Sequence, residues 1–218
     1  MRRIAILCGL FLLVRGSMAQ GAAAASAIMK PDAGQHQPSP EQEKAAQDWF
    51  PLEKKCMDAI KEAIRAQAVQ EAVDSCKQTL DMSLKAGDLT SSDQLARTGS
   101  YQLYGHALLL ADKKQAALAQ EYMAVDEAHK CLTDKDQEYA MPYYWRGVVE
   151  ANLGQNDAAL ADYTVAEATH RKAIAGLPDM KARYGPVLAA ILKEHAALLD
   201  KMGRADEAAK LRAEAAAL

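Results

Sequence analysis

The chain has 218 residues, half of them apolar yet with only 2 Phe and 2 Trp, and 29 acidic against 26 basic side chains give a formal charge of −3. That length suffices for one domain with a continuous core, and an Ala-rich, aromatic-poor composition suits closely packed helices rather than a β-rich fold. A mildly acidic chain without a basic stripe lacks the phosphate-neutralising surface of a nucleic-acid binder.

Residues 1–19 have the pattern of a signal peptide. Arg2-Arg3 form a charged start, Ile4 to Val14 a short apolar run, and Ser17-Met18-Ala19 offer small residues for cleavage after Ala19. The alternative is an uncleaved anchor, although the run is short for a bilayer and Arg15 closes it. Cys8 lies inside the run, not at the cleavage point where a lipid would be attached. Cleavage removes Arg2, Arg3 and Arg15 and no acid, taking the charge from −3 to −6. Residues 20–38 are Ala-rich and then polar, broken by Pro31 and Pro38 and without apolar period, which predicts a disordered linker. No other apolar run is long enough to span a membrane, so the expected location is exported, periplasmic or secreted.

From Ser39 the pattern is helical. Ser39-Pro40-Glu41 with Gln42 is a capping-box start, and Pro51 is expected to end or kink that helix after Trp49-Phe50. Leu52–Ala66 and about Val69–Lys85 form helix pair one, closed by Gly87-Asp88, and Thr90 to Asp93 offer caps for the next helix. Pair two uses Tyr101, Tyr104, Gly105, Leu108 and Leu109, and turns near Ala111-Asp112. It returns through Ala117, Leu118, Tyr122 (or Glu121 on the adjoining face), Val125 and Ala128, and a charged connector runs from Leu132 to Gln137. Pair three occupies Pro142 to Ala168, turns at Leu153 to Asn156 and continues to about Ala175, before a break at Gly176 to Asp179. Pair four spans about Asp179–Met202 and Arg204–Ala215 about the hinge Gly203, with a kink or division expected at Gly185-Pro186. No alternating pattern predicts a strand.

Two of these pairs share anchors. Tyr101 and Gly105 match Tyr143 and Gly147, and Ala117 and Ala159 each follow their glycine by 12 residues. Helices approach closely only where one face is Gly or Ala. With Ala159 and Tyr163, these anchors make 142–168 resemble the tetratricopeptide repeat (TPR) family pattern, W-x2-L-G-x2-Y followed by A-x3-F, with Tyr143 in place of Trp; 101–128 matches it more loosely. Arg146, Glu150 and Glu121 depart from the pattern, standing where it has Leu, Tyr and an aromatic. The equivalent anchors Cys56, Tyr101, Tyr143 and Leu192 are 45, 42 and 49 residues apart, longer than the family's roughly 34.

The resemblance implies an all-α solenoid of about four antiparallel helix pairs over residues 39–218, and a groove lined by first helices that holds a protein or peptide. The first-helix residues beside the anchors are Met57, Lys61, Gln102, His106, Tyr144, Val148, Lys193 and Asp200. They do not reproduce the family's clamp for an acidic carboxyl terminus.

Cys56 and Cys76 lie symmetrically about residue 66, where pair one turns, and in an oxidising compartment they are expected to form a disulfide. Cys131 is left over, near Asp126 and His129 but in no metal-binding pattern. No catalytic, cofactor or metal motif is present; His106, His170 and His195 stand apart, and Glu194 diverges from His195 on a helix. The expected function is that of an exported, non-catalytic scaffold for protein–protein interactions in the cell envelope. Its rivals are a structural module that self-associates through the Ala-rich segment Asp206 to Leu218, and an envelope enzyme or small-ligand-binding helical protein.

Overall fold

The computed structural model describes residues 39–66, 68–87, 91–132, 137–176 and 181–218. The expected signal peptide, the linker, the Thr90 cap and the Leu177 to Asp179 break lie outside these. Within them the fold is all-α, with eight α-helices, each packed against a sequence neighbour, and no strand. The chain divides between Asp112 and Lys113 into two compact units.

The first unit holds α1 (Pro40–Ala66), α2 (Val69–Ala86) and α3 (Ser91–Leu110). α1 starts in the expected capping box: the Gln42 amide donates to Ser39 Oγ at 3.2 Å, and the Ser39 amide donates to Gln42 Oε1 at 2.9 Å. Of the two outcomes expected at Pro51, an end is excluded, because α1 runs through it for 27 residues. An interior proline costs a helix about 3 kcal/mol, and here both flanks are anchored. On one side Trp49 Nε1 donates to Ser100 Oγ of α3 at 3.0 Å; on the other the Thr79 hydroxyl of α2 reaches the Leu52 carbonyl at 2.9 Å. One turn later Cys56 and Cys76, both fully buried, form the expected disulfide with Cα atoms 4.7 Å apart. Gly87 ends α2 with φ 70°, a conformation natural to glycine.

The second unit holds α4 (Lys114–Cys131), a 3-10 turn (Gln137–Tyr139), α5 (Ala140–Leu153), α6 (Asn156–Gly176), α7 (Lys181–Lys201) and α8 (Ala205–Ala216). Two antiparallel hairpins, α5–α6 and α7–α8, end their first helices alike. Gly154 and Gly203 take φ 77°, and the next amide returns to a carbonyl five residues back, Gln155 to Glu150 and Arg204 to Leu199, each at 2.9 Å. α7 passes unbroken through Pro186, so the expected division there is absent. Leu188, Leu192 and Ala215, then Ala196, Leu199 and Ala208, close α7 onto α8. The two helices expected to form pair two, α3 and α4, lie one in each unit.

Gly147 sets the spacing of α5 and α6. A Cβ there would lie 3.1 Å from Tyr163 Cε1, 3.2 Å from the Ala159 carbonyl oxygen and 3.2 Å from Asp162 Cβ. The expected Gly147–Ala159 approach is therefore real, and two of its three contacts cannot rotate away. Gly147→Ala gains about 1 kcal/mol of helix propensity and loses more to overpacking, typically ~1–3 kcal/mol. The expected net loss is ~1 kcal/mol, read from the urea midpoint; a more stable variant refutes the tight contact. Reducing the Cys56–Cys76 bridge, which spans 20 residues, should lower the unfolding free energy by about 3 kcal/mol on the loop-entropy model. Equal urea midpoints for oxidised and reduced protein would contradict this.

Candidate functional site

The residues expected to line a groove do not form one exposed surface. In the first unit Lys61 is exposed and paired with Asp58 at 2.9 Å, Met57 is half-buried, and Gln102 and His106 are buried. Burial also drives the His106 pKa down to about 3, which keeps the ring neutral. In the second unit Tyr144 and Val148 are buried, whereas Lys193 and Asp200 are exposed, with Asp200 held by Arg212. Gln102, His106, Tyr144 and Val148 thus belong to the interior and offer no contact to a partner. The register differs by one residue. It is Tyr144 whose ring meets Tyr163, at 6.2 Å, while Tyr143 is only half-buried.

A different constellation sits on α4, α5 and α6, built from the residues that break the repeat pattern. Arg146 forms a bidentate pair with Asp162, Nε to Oδ2 and Nη2 to Oδ1 both at 2.7 Å. Its guanidinium lies 4.8 Å from the Tyr122 ring centroid and 5.2 Å from that of Tyr143. Two hydrogen bonds and two cation–π contacts fix an otherwise mobile side chain. Glu121 of α4 and Glu150 of α5 are 1% and 2% exposed, and the Oε2 atom of each has no hydrogen-bond partner. Of the two alternatives on α4 it is Glu121 that turns inward, leaving Tyr122 exposed.

One guanidinium faces three carboxyl groups, and Asp162 already takes both of its forks. Burial pushes Glu121 well above the carboxylate range, although the Arg146 charge pulls it down. Burial raises Glu150 to about 7, reinforced by the negative charge of Asp162 and opposed by Arg146 and by the Tyr122 hydroxyl, 3.4 Å from its Oε1. The cluster therefore holds an Arg–Asp ion pair, a Glu121 whose burial favours its protonated form, and a Glu150 poised between its two states at neutral pH.

Beside it, His129, Tyr139 and Tyr143 form a polar triangle. His129 Nε2 is 2.6 Å from the Tyr143 hydroxyl and 2.9 Å from that of Tyr139, and the two hydroxyls are 3.0 Å apart. Tyr139, Tyr143, Arg146 and Glu150 follow one another at intervals of 4, 3 and 4 residues, a single helical stripe.

A second network links α6, α7 and α8. Glu167, buried, receives His195 Nδ1 at 2.5 Å and Arg171 Nη1 at 3.0 Å, and Arg171 also forks onto Glu214 at 2.8 and 3.0 Å. Sequence reasoning missed this network because the ties from His195 and Glu214 come from other helices; it established only that Glu194 diverges from His195. Cys131 is outside the disulfide, half-buried, with Sγ 3.6 Å from the Glu127 carbonyl. Among the described residues no three His, Cys, Asp or Glu side chains are grouped to hold a metal, and no helix is long and apolar enough to cross a membrane. No family model and no curated protein matches the chain.

Glu150 makes stability depend on pH in a definite direction. Its folded pKa lies above its unfolded one, so the folded state is favoured fully below about pH 4.5 and loses stability as pH rises to about 7. Replacing it by Gln removes that loss. Glu150→Gln should gain about 3 kcal/mol more over wild type at pH 8 than at pH 4.5, the linkage value of the raised pKa. Urea unfolding at the two pH values checks this, and an equal effect at both refutes the assignment. His170 acts oppositely in the wild type: burial lowers it to about 4, so its contribution is lost as pH falls below about 6.5.

Proposed function

We propose that the chain is an exported, non-catalytic helical repeat protein of the tetratricopeptide kind that holds a protein or peptide partner in the cell envelope. Its contact surface is the face of α4, the end of the 3-10 turn and the start of α5 around Tyr122, Met123, His129, Tyr139 and Tyr143. The observation that carries this reading is the Arg146 guanidinium clamped between Tyr122 and Tyr143 and forked onto Asp162, with Tyr122 47% and Met123 41% exposed next to it. Tyr, Met and Arg are the side chains that protein interfaces enrich, and preordered anchors lose little entropy on binding. The Cys56–Cys76 disulfide supports the exported location, since such bonds persist in oxidising compartments.

A second reading, self-association through α8, has one observation in its favour: Ala205, Ala209, Ala213 and Ala216 form an exposed small-residue stripe. Light scattering over a range of concentrations separates the two, because the partner-binding reading needs no change of mass.

The test is crosslinking and pull-down of the full chain from envelope extracts, beside a Tyr122→Ala/Tyr143→Ala variant of unchanged helicity and a Lys61→Ala control. Two truncated anchors should cut partner recovery at least about tenfold, and the control should not. Equal recovery with the double variant would place the interface elsewhere.

A further inference from the structure

α6, α7 and α8 border an open cleft of about 460 Å³, within the range of small-molecule sites. Leu160, Leu199 and Leu211 make its apolar wall and pack on Ala196 and Ala208 behind. Thr164, His195, Arg204, Glu207 and Lys210 supply its polar groups.

Most of these polar groups are already engaged. The Thr164 hydroxyl donates to the Leu160 carbonyl at 2.8 Å. Arg204 takes both oxygens of Glu207 at 2.7 Å, and Lys210 also acts on that carboxylate. His195 differs. Its Nδ1–H is donated to buried Glu167 at 2.5 Å, and Glu167 is held in turn by Arg171, which forks onto Glu214. The neutral ring is thereby fixed from behind in one tautomer, and its Nε2 carries a lone pair. That nitrogen makes no hydrogen bond with any described residue and is not sealed from solvent.

A fixed acceptor beside a leucine wall complements a neutral ligand that joins one hydrogen-bond donor to an apolar body. A carboxylate would set lone pair against lone pair. A phenol meets both needs: its O–H is a stronger donor than an aliphatic alcohol's, and a pKa of about 10 keeps it neutral at pH 8.

We propose that this cleft binds a small phenol, its hydroxyl donating to His195 Nε2 and its ring lying against Leu160, Leu199 and Leu211. Glu167 is a positioning residue that holds the tautomer. The site is separate from the Tyr122–Tyr143 surface and does not depend on it.

4-Methylphenol is the probe, titrated into the full chain at pH 8 while the methyl resonances of Leu199 and Leu211 and the ring ¹⁵N resonances of His195 are followed. Saturable shifts are expected, with a dissociation constant on the order of 10⁻³ M for a ligand of this size, and the ¹⁵N pattern should place the ring proton on Nδ1. Anisole is an isomer of 4-methylphenol without a donor, and it should bind about tenfold more weakly. His195→Phe keeps a ring but no acceptor, and should weaken 4-methylphenol by about tenfold. Glu167→Ala should move the ring proton toward Nε2 and weaken the phenol with it. N-acetyltyrosinamide carries the phenol on a peptide backbone: binding as tight as that of 4-methylphenol assigns the ligand to a peptide's tyrosine, and weaker binding to a free small molecule. The proposal is overturned if 4-methylphenol does not saturate, if anisole binds as tightly, if the wild-type ring proton sits on Nε2, or if His195→Phe leaves the affinity unchanged.

Discussion

The second unit depends on the approach of two backbones at Gly147. Because that residue has no side chain, α5 rests on the Ala159 carbonyl and on the flank of Asp162. Asp162 is thereby brought against Arg146, one residue before the glycine, and the ion pair closes at 2.7 Å on both forks. Tyr144 and Tyr163 fill the space above the glycine. A wider spacing would separate the charges, and a buried aspartate without its guanidinium is among the more costly defects a core can hold.

That close contact explains how the unit tolerates so much buried polarity. Glu121, Arg146 and Glu150 stand where the repeat pattern has apolar or aromatic residues, and all three converge on one cluster. Arg146 satisfies one acid completely, and burial shifts the remaining two toward their protonated forms. Structural needs alone would favour leucine and tyrosine at these places. These groups border the half-exposed Tyr122, the side chain on which the proposed contact surface is built.

The first unit is stabilised by different means. α1 carries a proline in its interior, and the chain secures the flanks of that proline with the Trp49–Ser100 and Thr79–Leu52 hydrogen bonds. The disulfide follows at once, joining α1 to α2 where both helices present a fully buried cysteine. Local covalent and polar ties here do what a glycine contact does in the second unit.

The amino-acid sequence by itself determined the helices, the Ser39–Gln42 cap, the glycine turns at Gly154 and Gly203, the Gly147–Ala159 approach and the Cys56–Cys76 pair. Each of these is written in residue type and near-neighbour spacing, which act over a few residues or across one short hairpin. Tertiary structure alone decided the rest. A one-residue shift in register put Tyr144 inside and Tyr143 at the surface, and it turned Glu121 inward where Tyr122 was the alternative. Flanking hydrogen bonds from other helices carried α1 through Pro51. His195 found Glu167 rather than its neighbour Glu194. The physical reason is common to all of them: on a helix the facing of a side chain changes by about 100° per residue, so only the packed partners settle which side chains meet.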